Sequence, residues 1–425
     1  MNRTSFRVAL LTTAALLSAA AVAPARAQSS APGGGSFPGS ILIPASNTSF
    51  KVGGYAKLDY TYDFSAMQPI VGGLSPGAIP LDANVPGTKA GAGHSIHGGS
   101  QFTASESRFN IETRTPTGYG ELKTVIEADF TNPSGLTNGA AFKVNSNSSG
   151  LRLRLAYGTL GPFLAGQAPS TFRDTLAEPE TLDFGGAITA GVLRQPQIRY
   201  TYDAGGGLTI AGAVENPQTQ VIDATTGVST TNFGAGRADK LPDFTAAATW
   251  VQPWGHLALR AVAREIYDHD GVAVSADSFG WGLGASGDLR TWGKDQLLFQ
   301  INGGDGIGRY SNALGLVQDT VVSTATSTME NLKIVSGVIA YQHWWTDQLR
   351  SSAEGSYLHI GYPAIISGAP LATQNQSFIT SHVNLIWSPV PQVDTGVEYI
   401  WEKRTAENGQ HGFANRLQVS SKFKF

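Results

Sequence analysis

Residues 151–157 read LRLRLAY, and their alternation decides the fold. Leu151, Leu153, Leu155 and Tyr157 fall on one face of an extended strand, and Arg152, Arg154 and Ala156 on the other, because strand side chains repeat every two residues. A leucine face backed by an arginine face admits two solutions. In a soluble sandwich the leucines would form a dry core and the arginines a wet exterior. In a membrane barrel the leucines meet lipid and the arginines point into an aqueous lumen. Reversing the second arrangement would place two guanidiniums in hydrocarbon, at roughly 2–4 kcal/mol each near the midplane. The facing of this strand is therefore strongly set.

The same pattern spreads in both directions. In 106–114, Phe109 and Ile111 face out while Glu106, Arg108, Asn110, Glu112 and Arg114 face in. In 121–130, Leu122, Ile126 and Phe130 face out while Glu121, Lys123, Glu127 and Asp129 face in. In 195–203, Ile198, Tyr200 and Tyr202 oppose Gln197, Arg199 and Thr201. Phe279, Trp281 and Leu283 alternate with glycines, and Val383, Leu385 and Trp387 alternate with His382 and Asn384. Sixteen candidate strands run from about residue 50 to the end, those near 243–252 and 330–342 being the least regular. One face is richly charged and the other almost never is, which suits lipid outside and water inside. The connections alternate too. Short ones carry turn residues, as at Thr-Pro-Thr-Gly 115–118 and Ser-Pro-Val-Pro 388–391, and long ones near 65–100, 131–148, 170–194, 216–242 and 304–329 are mostly rich in Gly, Ser, Thr and Asn. Seven short turns and eight longer loops predict an all-β, antiparallel transmembrane barrel of about 16 strands, with both termini periplasmic. Trp254, Trp292, Trp344, Trp345 and Trp387 fall at or beside the short turns, where amphipathic rings mark a membrane boundary. The chain closes on the alternating Lys422-Phe423-Lys424-Phe425, a last strand with a terminal aromatic.

The first residues fit export. Arg3 and Arg7 precede an apolar run, Val8 to Val22, and Ala25-Arg26-Ala27 offers a cleavage site, so 1–27 reads as a signal peptide. Residues 28–49 then read as a flexible Gly/Pro-rich periplasmic lead, too short to form a plug, and 50–425 as the barrel. No other run approaches the ~20 apolar residues of a membrane helix. The chain has no Cys, so no disulfide or thiolate metal site exists. Its 29 basic and 32 acidic residues become 26 and 32 once the three signal arginines are removed. That balance of −6 argues against a nucleic-acid partner but says nothing of the lining of an internal channel.

A barrel of this size leaves an aqueous passage, whose selectivity follows from width and lining charge. Arg108, Arg114, Lys123, Arg152, Arg154 and Arg199 all alternate inward on neighbouring strands. Arg is permanently charged and grips carboxylates through two parallel bonds. Such a ladder would pass anions, and two sites would hold a dicarboxylate better than a monocarboxylate. Pairing with Glu106, Glu112, Glu121 and Glu127 on the same wall is the competing possibility. The loop near 170–194, with Arg173, Asp174 and Glu178, is a candidate to fold inward and narrow the lumen. Lys403, Arg404 and Arg416 read as solvated rim charges. No cofactor or metal is expected: no H-E-x-x-H or G-x-S-x-G string occurs, and His94 and His97 make only a sparse pair. His382 beside Asn384 would serve a hydrolase only if folding supplied a serine, so no enzyme is expected. A general or sugar-selective porin, relying on lumen aromatics such as Tyr55, is the alternative.

Several strings resemble the DcaP-like porins of Gram-negative bacteria: SFKVGGYAKLDYTYDF at 49–64, RFNIETRTPTGYGELKTVIEADF at 108–130, LRLRLAYGTLGPFLAGQ at 151–167, PETLDFGG at 179–186, RQPQIRYT at 194–201 and PQVDTGVEYIWEKR at 391–404. The resemblance implies a homotrimeric sixteen-stranded outer-membrane porin preferring small anionic solutes, dicarboxylates including aromatic ones. The matching strings contain Arg108, Arg114, Arg152, Arg154 and Arg199. The family's helical segment between signal and barrel has no counterpart in 28–49, so a trimer would rest on barrel contacts.

Overall fold

The computed structural model describes residues 34–65, 79, 81, 98–132, 150–189, 193–231, 239–269, 275–311 and 317–425. The signal segment 1–27, the start of the lead, and His94 and His97 lie outside the described residues. Sixteen antiparallel strands form one closed sheet: β1 (Ser49–Ser65), β2 (Arg108–Thr117), β3 (Gly120–Asn132), β4 (Gly150–Leu160), β5 (Phe163–Pro169), β6 (Arg194–Gly205), β7 (Leu208–Glu215), β8 (Asp243–Gln252), β9 (Gly255–His269), β10 (Ser275–Arg290), β11 (Gln296–Asp305), β12 (Lys333–Trp344), β13 (Leu349–Gly361), β14 (Asn375–Val390), β15 (Val393–Ala406) and β16 (His411–Lys424). Each strand pairs with the next, and β1 pairs with β16 from Tyr55–Lys424 to Ser65–Asn415. Closure leaves no unpaired edge, which hydrocarbon would penalise. A short piece, Gly99–Thr103, extends β2 alongside the outer part of β1. The two weakly patterned segments are strands, β8 and β12.

The tight ends carry the expected turn chemistry. Between β6 and β7, Gly205, Gly206 and Gly207 all have positive φ, and a Cβ on Gly207 would lie 2.1 Å from the Val251 carbonyl oxygen. Trp254, Trp292, Trp345 and Trp387 are exposed around this end and form a belt. Trp344 departs from it. Its register partner is Arg350, whose guanidinium lies 5.3 Å from its ring, so it faces the lumen. The final Phe425 is outward-exposed, and its backbone pairs with Gly54. Residues 36–47 fold back over the periplasmic end of β1–β2. Ile41–Leu42 pairs with Ser49 and Phe50, and the Phe37 ring lies 4.5 Å from the Arg114 guanidinium.

Outward facing follows alternation, with one correction that matters. Leu151 and Leu153 are exposed to the outside as expected. Past them, the β3–β4 register shifts, Ala128 pairing with Leu153 but Glu127 with Leu155, so Arg154 is an extra residue. A bulge reverses the facing beyond it. Tyr157 and Leu155 therefore turn inward, packing on Val125, Leu164 and Ala168, and Ala156 takes the outward side.

The outer loops do more than connect. The β7–β8 and β11–β12 loops build a second sheet from Gln220–Asp223, Ser229–Thr231, Thr320–Ser323 and Thr328–Asn331, in which Val221–Asp223 runs parallel to Thr320–Val322. Ile222, Val321, Ile307 and Ile366 from the loops pack on Val262, Ile334, Leu358 and Phe378 of the barrel wall. In its outer half the inner face of β9–β14 is thus largely apolar and buried under the loops. The cap is fastened by Arg264, fully buried, which pairs with Asp319 at 2.9 Å and Asp243 at 3.3 Å.

Candidate functional site: a loop-lined lumen

A backbone threaded through a barrel leaves N–H and C=O groups that something must satisfy. The loop after β5 does this along more than half of the wall. The Thr171 amide donates to Glu215 on β7, and Arg260 on β9 donates to the Phe172 carbonyl. Asp174 accepts from Ser286 on β10 and meets His256 on β9 at 2.8 Å. Burial opposes its ionisation, but the hydrogen bonds from His256 and Ser286 hold its carboxyl below the usual range. Gln300 on β11 donates to the Ala177 carbonyl. Glu180 receives both sides of Arg350 on β13 at 2.6 Å, and Gln342 on β12 at 2.7 Å. Glu398 on β15 accepts the amides of Leu182 and Asp183, each at 2.8 Å, while Lys57 and Gln418 donate to the Leu182 carbonyl. The inward polar residues of β7–β16 and β1 largely serve the loop. Arg173 and Glu178 stay on it as a two-bond pair, at 2.5 and 2.8 Å.

The remaining wall, β2–β6, carries the arginine ladder. Every residue expected there faces the lumen, and the pairing possibility holds for five of the six. Arg152 bonds Asp129 through two nitrogens, at 3.0 and 2.7 Å. Arg154 bridges Glu127 and Asp129, at 2.7 and 2.8 Å. Arg108 reaches Glu127 at 3.5 Å and lies 5.3 Å from the Tyr55 ring. Arg114 pairs with Glu112 and Glu121, and Lys123 with Glu112. Glu106 belongs instead to Lys57 on β1. Arg199 differs: it bonds the Gln197 side chain and the Pro169 carbonyl. Sequence reasoning missed a seventh member, Arg194, which starts β6. It has no carboxylate partner among the described residues and stands in the field of Arg154, Arg173, Arg152 and Arg108. Seven cations thus meet four carboxylates, Glu112, Glu121, Glu127 and Asp129; the fifth acid of these strands, Asp203, sits exposed by the β6–β7 turn. The wall keeps an excess of positive charge.

The residues expected at the rim divide. Lys403 is outward, 5.6 Å from the Phe413 ring, and Arg404 bonds Asn375. Arg416 is not a solvated charge: it is buried and holds Asp63 through two bonds, at 2.6 and 3.0 Å, across the closing seam. His382 is fully buried against Glu354 in the wall. No group of His, Cys, Asp or Glu suited to a metal ion occurs among the described residues.

A closed sixteen-stranded barrel with an apolar exterior, an aromatic belt and a loop laid along its lumen is an outer-membrane protein of the porin class. The chain belongs to the DcaP outer membrane protein family, whose model matches residues 39–425. No curated sequence matches it. Among solved structures it resembles the outer membrane channel DcaP of Acinetobacter baumannii, with 22% identity, a TM-score of 0.74, and 91% of this chain and 99% of that one covered. More distant likenesses are the anion-selective porin from Comamonas acidovorans, with 10% identity, a TM-score of 0.51 and coverage of 89% and 100%, and the trimer form of Vibrio cholerae OmpT, with 10% identity, a TM-score of 0.50 and coverage of 89% and 99%.

Proposed function

We propose that this outer-membrane channel passes small anionic solutes by diffusion, dicarboxylates ahead of monocarboxylates, as a homotrimer formed after loss of residues 1–27. The supporting observation is the charge excess on β2–β6, above all Arg194 and Arg199, two guanidiniums with no carboxylate within ion-pair reach among the described residues. Two such groups on one wall can act on one doubly charged solute. Arg173, Asp174 and Glu178 belong to the constriction: the loop fills the far side and keeps solutes against the basic wall. Oligomerisation and anion selectivity are described for the Vibrio cholerae and Comamonas acidovorans proteins respectively.

Reversal potentials of the purified protein in a planar bilayer test the proposal. Chloride should be favoured over potassium, and succinate should block chloride current more strongly than acetate. Cation preference would remove the anion claim. Neutral sugars swelling liposomes as fast as dicarboxylates would favour a general porin instead.

A further inference from the structure

We infer that Phe184 is a specificity-determining residue of the passage, a tethered ring that covers the guanidinium faces of Arg152 and Arg154 and competes for them with the aryl groups of passing anions. The inference rests on the permeation reading above. The Phe184 ring centroid lies 5.2 Å from the Arg152 guanidinium carbon and 5.6 Å from that of Arg154. Each guanidinium gives two of its three nitrogens to Asp129 or Glu127, and its flat face is a further surface that an incoming solute could use. A face of this kind attracts a π-system. Phe184 already supplies one, from a loop segment held by Glu398 on β15, Gln418 on β16 and Lys57 on β1.

The ring is presented there by its backbone. On one side the amides of Leu182 and Asp183 are held by Glu398, and on the other the amides of Gly185 and Gly186 are held by the Asp183 carboxylate, at 2.8 and 3.1 Å. Phe184 is half-buried and joins none of the apolar clusters among the described residues. It spans from the loop to the ladder, in the string PETLDFGG at 179–186.

The test compares benzoate with cyclohexanecarboxylate, similar in size and charge but lacking the π-face, as blockers of chloride current through wild type, Phe184→Ala, Phe184→Leu and Phe184→Tyr. Heat-modifiable migration on a gel verifies folding of each. Emptying two cation–π faces should tighten benzoate block about fivefold or more in Phe184→Ala, and cyclohexanecarboxylate much less. Phe184→Leu, which keeps the bulk but not the π-face, should shift toward benzoate in the same sense, and Phe184→Tyr should match wild type. The inference is overturned if the benzoate-to-cyclohexanecarboxylate ratio is the same in all four proteins, or if Phe184→Leu matches wild type while Phe184→Ala admits both acids equally. A wild-type preference for potassium over chloride would count against the anion reading alone, because the ratio between two acids of one charge is read separately.

Discussion

Removing the unpaired charges of the basic wall should cut anion preference by an amount that elementary electrostatics sets. Arg194 and Arg199 are the two members of the β2–β6 wall without a carboxylate partner among the described residues, so their loss leaves no bare acid there. A monovalent ion passing about 6 Å from a guanidinium in water gains about 0.7 kcal/mol. At about 0.1 M salt the Debye length of ~10 Å reduces this to about 0.4 kcal/mol. That is about twofold in favour of the anion and twofold against the cation, or about fourfold in the chloride-to-potassium permeability ratio for each arginine. Arg194→Gln and Arg199→Gln should each lower the ratio about fourfold, and the double variant about fifteenfold. The assay is the reversal potential across a single bilayer in a KCl gradient averaging about 0.1 M, repeated near 1 M, where screening should erase most of the difference. Arg154→Gln is the informative contrast. It removes the same single charge, while Glu127 keeps Arg108 and Asp129 keeps Arg152, so the ratio should again fall about fourfold if net wall charge rather than pairing sets selectivity. An unchanged ratio in the double variant at low salt would refute the claim that residual wall charge sets selectivity.

Glu398→Ala removes the acceptor of two loop amides, so single-channel conductance and its noise should rise as the loop loosens; a trace identical to wild type would count against the tether. The lowered Asp174 carboxyl stabilises the loop fully above the unfolded carboxylate value near pH 4, and that contribution fades as pH falls through the lower native value. Asp174→Asn should therefore show loop noise at neutral pH that wild type shows only in strong acid. Arg264→Met removes the cation that Asp243 and Asp319 share, leaving Asp243 with Tyr310 and a more distant Arg309 and Asp319 with two backbone amides, and should weaken the cap by about 3 kcal/mol, read as protease cleavage between 217 and 231 or 317 and 331. The β4 bulge predicts that Ala156→Arg, now facing lipid, costs roughly 2–4 kcal/mol of barrel stability near the midplane. A urea titration reads the cost; a value near zero would mean that the strand runs without a bulge and that Ala156 faces the lumen.

The period-two pattern carried most of the barrel because lipid tolerates few errors in it. It located sixteen strands and put the six ladder residues on the inside. Its failures have physical causes. Tyr157 was misplaced because a bulge needs no special residue, and Arg154 in an alternating run looks like any other lumen side chain. Arg194 escaped notice because it stands one position outside the alternation of Gln195, Gln197 and Arg199. Arg260 and Arg264 could have been found, since GHLALRAVAR at 255–264 alternates Leu257 and Leu259 with His256, Ala258 and Arg260. The hesitation over β12 also has a cause. Ile334 packs under the cap while Val335 faces lipid, so both faces are apolar and the pattern fades where loops replace water. Arg416 seemed a rim charge because its partner Asp63 lies at the far end of the chain, brought close only by barrel closure.

The two halves of the wall use the same residue types for different ends. On β7–β16 and β1, Arg260, Arg350 and Lys57 spend their charge on loop carbonyls and on Glu180, and Glu215 and Glu398 answer loop amides. Those groups are fixed by the need to satisfy a backbone inside the barrel, and little of their field is left for a solute. On β2–β6 no such backbone must be served along most of the wall, so cations can outnumber acids there. This is why the whole-chain balance, acidic by a few charges, does not forecast the polarity of the passage. What matters is which charges remain after the loop has been bound, and where the chain puts them. Under the proposed function, the loop, by lying on one side, sends a permeating solute past the other.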